Sequence, residues 1–121
     1  MPSVLIADDD ASLRSALKLA LEANGYEVRL AANGGEALKL QRKAPSDVLI
    51  TDLFMPESDG FEAIDGFRKG FPGTKIIAMS GEGKRAKHEY LPAAALIGVE
   101  ATLKKPFQVA ALLQVLRSLG I

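Results

Sequence analysis

The sequence predicts an α/β fold: a parallel sheet of five strands with five helices, doubly wound so that both faces of the sheet are covered. Three observations predict it. Short apolar runs rich in β-branched residues recur along the chain, as at Val4-Leu5-Ile6-Ala7, Val48-Leu49-Ile50 and Ile76-Ile77-Ala78-Met79. Stretches with helical spacing of apolar residues lie between them. Polar side chains follow the runs directly, which suits a fold whose ligands bind beyond the carboxyl ends of its strands. Strand and helix signals alternate five times, and such alternation argues for right-handed crossovers between parallel strands. Periodicity does not give the strand order.

Val4 to Ala7 reads as the first strand, with Asp8-Asp9-Asp10 directly after it. Leu13, Leu17, Ala20 and Leu21 then recur at helical spacing, so residues 11–24 read as an amphipathic helix. Asp10 is its expected N-cap and Gly25 its left-handed stop. Tyr26, Val28 and Leu30 alternate with Glu27 and Arg29, which suits a more exposed edge strand. Asn33 with Glu36 three residues later is a capping-box pattern, and Ala37, Leu38 and Leu40 carry the helix that it opens. Ala44-Pro45-Ser46 ends that helix.

Asp47 to Asp52 is the central strand, buried on both faces and delivering a carboxylate at its C-terminal end. The bland reading of Asp52 is a turn former. Phe61, Ile64 and Phe67 give the third helix its buried stripe. Lys75 to Ser80 is the fourth strand, ending in a hydroxyl. Residues 81–91 open with Gly-Glu-Gly and are basic. Pro92 is accepted in a first helical turn, so the fourth helix is expected from Pro92 to Ile97. Ala101 to Lys104 is a short fifth strand, and Gln108 to Leu119 the closing helix.

The 121 residues suit one domain spanning 1–121, with no output domain expected. Fifteen basic and fifteen acidic side chains cancel, so no global field draws the chain to nucleic acid or membrane. The absence of cysteine excludes disulfides, thiolate catalysis and zinc–thiolate sites. It fits a reducing compartment, and a cytoplasmic location is expected. No signal-peptide pattern and no apolar stretch of spanning length is read.

In a parallel sheet, Asp8-Asp9-Asp10, Asp52, Ser80 and Lys105 share one rim. Clustered carboxylates repel: two at about 4 Å cost about 4 kcal/mol at an effective dielectric near 20. A divalent cation and a lysine would relieve this. Oxygen donors without histidine or cysteine suit magnesium rather than zinc. A carboxylate nucleophile with a cation, a lysine and a hydroxyl suits phosphoryl transfer onto the carboxylate.

At this point the chain resembles a response-regulator receiver domain of two-component signalling, with flavodoxin-like topology, over essentially its whole length. Val4-Leu5-Ile6-Ala7-Asp8-Asp9-Asp10 matches the family's acidic motif, and Asp52-Leu53-Phe54-Met55-Pro56 with Asp59-Gly60 its phosphorylation motif. Ala78-Met79-Ser80-Gly81 matches the switch-hydroxyl motif, and Leu103-Lys104-Lys105-Pro106-Phe107 the lysine motif.

The resemblance implies that Asp52 attacks the phosphorus of a phosphohistidine on a histidine kinase or a histidine phosphotransfer protein. It implies that Asp8 and Asp9 hold Mg2+, with Asp52 and the backbone carbonyl of Phe54 completing the protein ligands. Lys105 would pair with Asp52 and then with its phosphoryl group, and Ser80 would turn inward to a phosphoryl oxygen. Lys105-Pro106 would be a cis bond. The output surface would be the face of the fourth helix, fifth strand and fifth helix, contacting a protein target or a second copy. The chain would catalyse its own phosphorylation and slow dephosphorylation without turning over a separate substrate.

The sequence also departs from the family pattern. Thr102 stands where the family usually has an aromatic lever, so the signal is expected to pass through the loop 81–91 instead. Twenty-five positions separate Ser80 from Lys105, which reads as a lengthened loop. Phe54 and Glu82 occupy the positions that influence water attack, and an apolar Phe54 predicts a long-lived phosphoryl group. The closing helix carries apolar residues on more than one face, which suits either a second contact or tolerated surface residues.

Asp10 reads as a cap, His88 as solvated, and Arg14 and Arg85 as ordinary surface charges. The alternative function is a receiver-like interaction module independent of phosphorylation. A flavin-binding domain is a third reading; the acidic run after the first strand opposes it, because it repels a phosphate dianion.

Overall fold

Every residue of the strand Val48–Asp52 is buried, and the sheet is assembled around it. The computed structural model describes residues 1–53, 60–80 and 98–121. In chain order these form β1 (Ser3–Ala7), α1 (Ala11–Glu22), β2 (Glu27–Ala31), α2 (Gly34–Lys43), β3 (Val48–Asp52), α3 (Gly60–Gly70), β4 (Lys75–Ser80), β5 (Ala101–Lys104) and α4 (Val109–Ser118). All neighbouring strands pair in parallel, in the order β2-β1-β3-β4-β5. The chain runs outward from β1 to β2 and then returns to the other side of β1. The order therefore reverses between β1 and β3, and their carboxyl ends open the crevice where ligands of such sheets bind.

Strand pleating splits the apolar residues between two layers. Val4, Ile6, Val48, Ile50, Ile77 and Met79 point to one face and pack with Leu17 and Leu21 of α1 and Leu112 and Leu116 of α4. Leu5, Ala7, Leu49, Ile76 and Ala78 point to the other, against Ala37 of α2 and Ala63, Ile64 and Phe67 of α3. The central strands have apolar residues on both faces because both faces are covered.

The five-strand parallel sheet is as expected, but the expectation of five helices is corrected: the described residues form four. The helix expected from Pro92 to Ile97 lies outside the described residues. The loop 81–91, with Glu82, Arg85 and His88, and the residues Phe54 to Asp59 also lie outside them.

Local signals set the helix ends. The Asp10 side chain accepts from the N–H groups of Ser12 and Leu13, capping α1. Gly25, at φ 89°, supplies the left-handed residue after it. The helix stops at Glu22 because a tighter turn follows, in which Asn24 N–H donates to the Leu21 carbonyl. Asn33 caps α2 through the Glu36 N–H at 2.9 Å. Glu36 reaches back to the N–H of Ala32, one residue earlier than the capping box requires.

Part of the apolar surplus of the closing helix is covered within the chain. Leu113, Val115 and Leu119 pack half-buried on the same cluster as Leu112 and Leu116. Nothing in the linear pattern singles out Gln41, which is fully buried in α2. Its Oε1 accepts from the N–H and hydroxyl of Ser46, and its Nε2 donates to Thr74 Oγ1 at 2.9 Å. Thr74 closes the ring by donating to the Ser46 carbonyl. This network ties the chain together where it enters β3 and β4, at the end of the sheet opposite the rim.

Candidate functional site

The rim at the carboxyl ends of β1 and β3 carries the chemistry. Asp8 follows β1 and has no exposed surface; Asp52 ends β3 and is 6% exposed. Asp9 is exposed. Asp8, Asp9 and Asp52 each offer a carboxylate oxygen, and these oxygens lie within 4.8 Å of one another. Among the described residues Asp9 has no hydrogen-bond or ion-pair partner. Three hard oxygen donors without a nitrogen or sulfur ligand match the preferences of a hard divalent cation. The donor set therefore fits such an ion.

Lys105 enters from the strand at the other side of the crevice. Its N–H donates to the Ser80 carbonyl at 2.7 Å, which continues the β4–β5 ladder by one residue. The Lys105–Pro106 peptide is cis, as the resemblance implies. The ammonium lies 2.5 Å from Asp8 Oδ2 and 3.3 Å from Asp52 Oδ2. Burial works to lower the Lys105 pKa. The hydrogen bond to Asp8 and the charges of Asp52 and Asp8 outweigh it and hold the pKa above the ordinary lysine value. Lys105 is therefore a fixed positive charge at neutral pH. Lys104, one residue earlier, is exposed and pairs with Ser80 in the sheet.

The acidic turn is held from several directions. The Asp8 N–H donates to the Ala31 carbonyl at 3.1 Å, and the Asp10 N–H donates to Asp8 Oδ1 at 2.9 Å. Asp10 itself caps α1 and is no part of the carboxylate cluster, as expected. Arg14 was expected to be a plain surface charge and is not. It is half-buried, and its Nη1 donates to the Asp8 backbone carbonyl at 2.7 Å. A signal was available: a cation near a helix N-terminus opposes the macrodipole and so calls for a local acceptor.

Ser80 closes β4 on this rim, half-buried, and its hydroxyl has no partner among the described residues. The carbonyl of Phe54, expected as a metal ligand, lies outside the described residues. Beside Lys105 an open groove of about 520 Å³ runs between α1 and the segment after β5, lined by Leu13, Ala16, Leu17, Pro106, Phe107 and Val109 among others.

A family model described as the response regulator receiver domain matches residues 4–117. The chain belongs to that family. Chemotaxis protein CheY of Thermotoga maritima is 38% identical to this receiver domain over 106 residues, covering 87% of this chain and 86% of that protein. The transcriptional regulator NtrC of a Bradyrhizobium strain is 34% identical over 99 residues, 74% of this chain and 21% of that one. The chain spans between 20% and 31% of the length of several transcriptional regulators that it matches.

Among solved structures, the receiver domain superposes on response regulator TrrA of Thermotoga maritima with a TM-score of 0.85 and 30% identity, covering 98% of this chain and 99% of that one. That protein was solved in complex with Mg(2+)-BeF. A CheY-like receiver domain from Methanospirillum hungatei gives 0.86 and 29%, covering 98% and 92%. No helix among the described residues is long and apolar enough to cross a membrane.

Proposed function

We propose that this receiver domain is a phosphoacceptor switch, phosphorylated on Asp52 in a Mg2+-dependent reaction. One observation carries the reading: the carboxylates of Asp8, Asp9 and Asp52 converge within 4.8 Å, with the Lys105 ammonium on the same rim. The TrrA complex supports it.

Asp8, Asp9, Asp52 and the carbonyl of Phe54 would hold the cation. When bound, Mg2+ supplies positive charge to the crowded carboxylates and to the oxygens of an incoming phosphoryl group. Asp52 Oδ forms the new bond to phosphorus, and the bond from phosphorus to the donor imidazole nitrogen breaks. The nitrogen keeps that electron pair. Lys105 neutralises the charge on the transferred group, and the Ser80 hydroxyl donates to one of its oxygens. The domain acts on itself; no separate substrate is turned over.

The donor is a histidine kinase or histidine phosphotransfer protein, and the setting is cytoplasmic. The output partner is a protein target, or a second copy of the chain, met through the side of the domain where β5 and α4 lie. The exposed Thr102 and Lys104 on the edge strand β5 support that placement.

Intact mass after incubation with a small-molecule phosphodonor tests the reading. One phosphoryl group should be gained with Mg2+, lost with chelator and lost in Asp52→Asn. No gain from the small donor or from a panel of phosphorylated histidine partners would sink it, leaving an interaction module independent of phosphorylation.

A further inference from the structure

Arg14 is the fourth residue of α1, and its N–H makes the helix's first backbone bond, to the Asp10 carbonyl at 3.0 Å. Its guanidinium turns back past the helix start to donate to the Asp8 carbonyl at 2.7 Å. The first turn of α1 holds no acidic side chain. A cation there sits at the positive end of the helix dipole, where it is disfavoured. The carbonyl that it holds accounts for its place.

That carbonyl belongs to the planar peptide joining Asp8 to Asp9. Holding the oxygen fixes the plane, and with it the direction in which the chain enters Asp9. The next peptide is held as well, by the Asp10 N–H on Asp8 Oδ1. Asp9 is thus clamped on both sides by its backbone, while its carboxylate has no partner among the described residues. We infer that Arg14 is a positioning residue for the cation site: by holding the Asp8 carbonyl it sets the Asp8–Asp9 peptide and aims Asp9 at the ion shared with Asp8 and Asp52. The inference rests on the cation-site reading above.

Two effects of Arg14 have opposite signs, which makes the test decisive. As a mere positive charge it repels Mg2+, so its removal would tighten binding. As a positioning group it preorganises a ligand, so its removal weakens binding. Outer partners of metal ligands are commonly worth about tenfold or more in affinity.

Isothermal titration of Mg2+ into the full chain, beside Arg14→Met and Arg14→Lys, reads the sign directly. Arg14→Met should bind about tenfold more weakly. Arg14→Lys, which keeps a donor on a side chain one bond shorter, should bind more tightly than Arg14→Met. Thermal melting in chelator should show both variants folded. Arg14→Met binding as tightly as the parent, or more tightly, overturns the inference. Should that variant not fold, Arg14→Gln replaces it: the shorter side chain cannot span the distance, weakened binding supports the inference and unchanged binding overturns it. A parent chain that binds no Mg2+ overturns the cation-site reading and this inference together.

Discussion

The Lys105 ammonium is bonded more closely to Asp8, at 2.5 Å, than to Asp52, at 3.3 Å. Asp8 has no exposed surface, so its charge depends on this lysine and on the Asp10 N–H for compensation. Lysine and cation would therefore share one carboxylate pair, of whose two negative charges the lysine offsets one.

Lys105→Met should destabilise the fold by about 3 kcal/mol in the presence of chelator, because it leaves a buried carboxylate without its counter-charge. Added Mg2+ should return part of that loss by supplying charge to the same oxygens. Urea unfolding of both chains, with chelator and with Mg2+, measures it. A variant as stable as the parent in chelator would show that the pair contributes nothing.

The same pair sets an alkaline limit. The folded chain raises the Lys105 pKa, so the stabilisation from its ammonium is fully present below the unfolded lysine value of about 10.4. It is lost as the pH climbs through the raised folded value. The stability difference between the parent and Lys105→Met should be flat from neutral pH to about 10 and shrink above it. Comparing the two chains cancels the other groups that titrate there. A gap that persists unchanged well above that range would refute the assignment.

Asp10 caps α1 and stands apart from the carboxylate cluster. Asp10→Ala should cost about 1 kcal/mol of stability, while Asp10→Asn, also a good cap, should cost little. Neither should change Mg2+ affinity by more than about threefold, since through-space coupling at an exposed position is weak. Thermal melts paired with calorimetric titration separate the two roles. A large loss of affinity in Asp10→Asn would make Asp10 a ligand.

Gln41→Ala removes the centre of a buried ring and leaves Ser46 and Thr74 short of partners. The expected cost is about 3 kcal/mol, from unpaired polar groups and the cavity together. Phosphorylation of Asp52 at saturating Mg2+ should be unaffected, because the network lies at the far end of the sheet. Chemical unfolding and the mass assay check the two halves of this statement.

Much of the fold and most of the candidate site were legible in the sequence. The strands at Val4, Val48 and Ile76 announced themselves through unbroken apolar runs, and α1 through its spacing and the Asp10 cap. These signals are local, arising from residues within one or two turns of each other, so a linear reading carries them. Asp8, Asp9, Asp52 and Lys105 could be placed on one rim from the sequence because each ends or follows a strand, and parallel pairing puts such positions side by side. The helix expected from Pro92 to Ile97 lies outside the described residues, among which four helices form.

Tertiary structure alone decided the rest. The order β2-β1-β3-β4-β5 places Asp8 beside Asp52, and no periodicity encodes it. The ammonium of Lys105 meets a carboxylate 97 residues away, and Gln41 meets Thr74 across 33. Arg14 shows that even six residues can hide a contact, because its side chain must fold back over the helix start to reach Asp8. Local preference follows from backbone geometry and neighbouring side chains. The partners of a buried charge or amide follow from which strands the chain lays side by side, and that is settled only when the whole sheet closes.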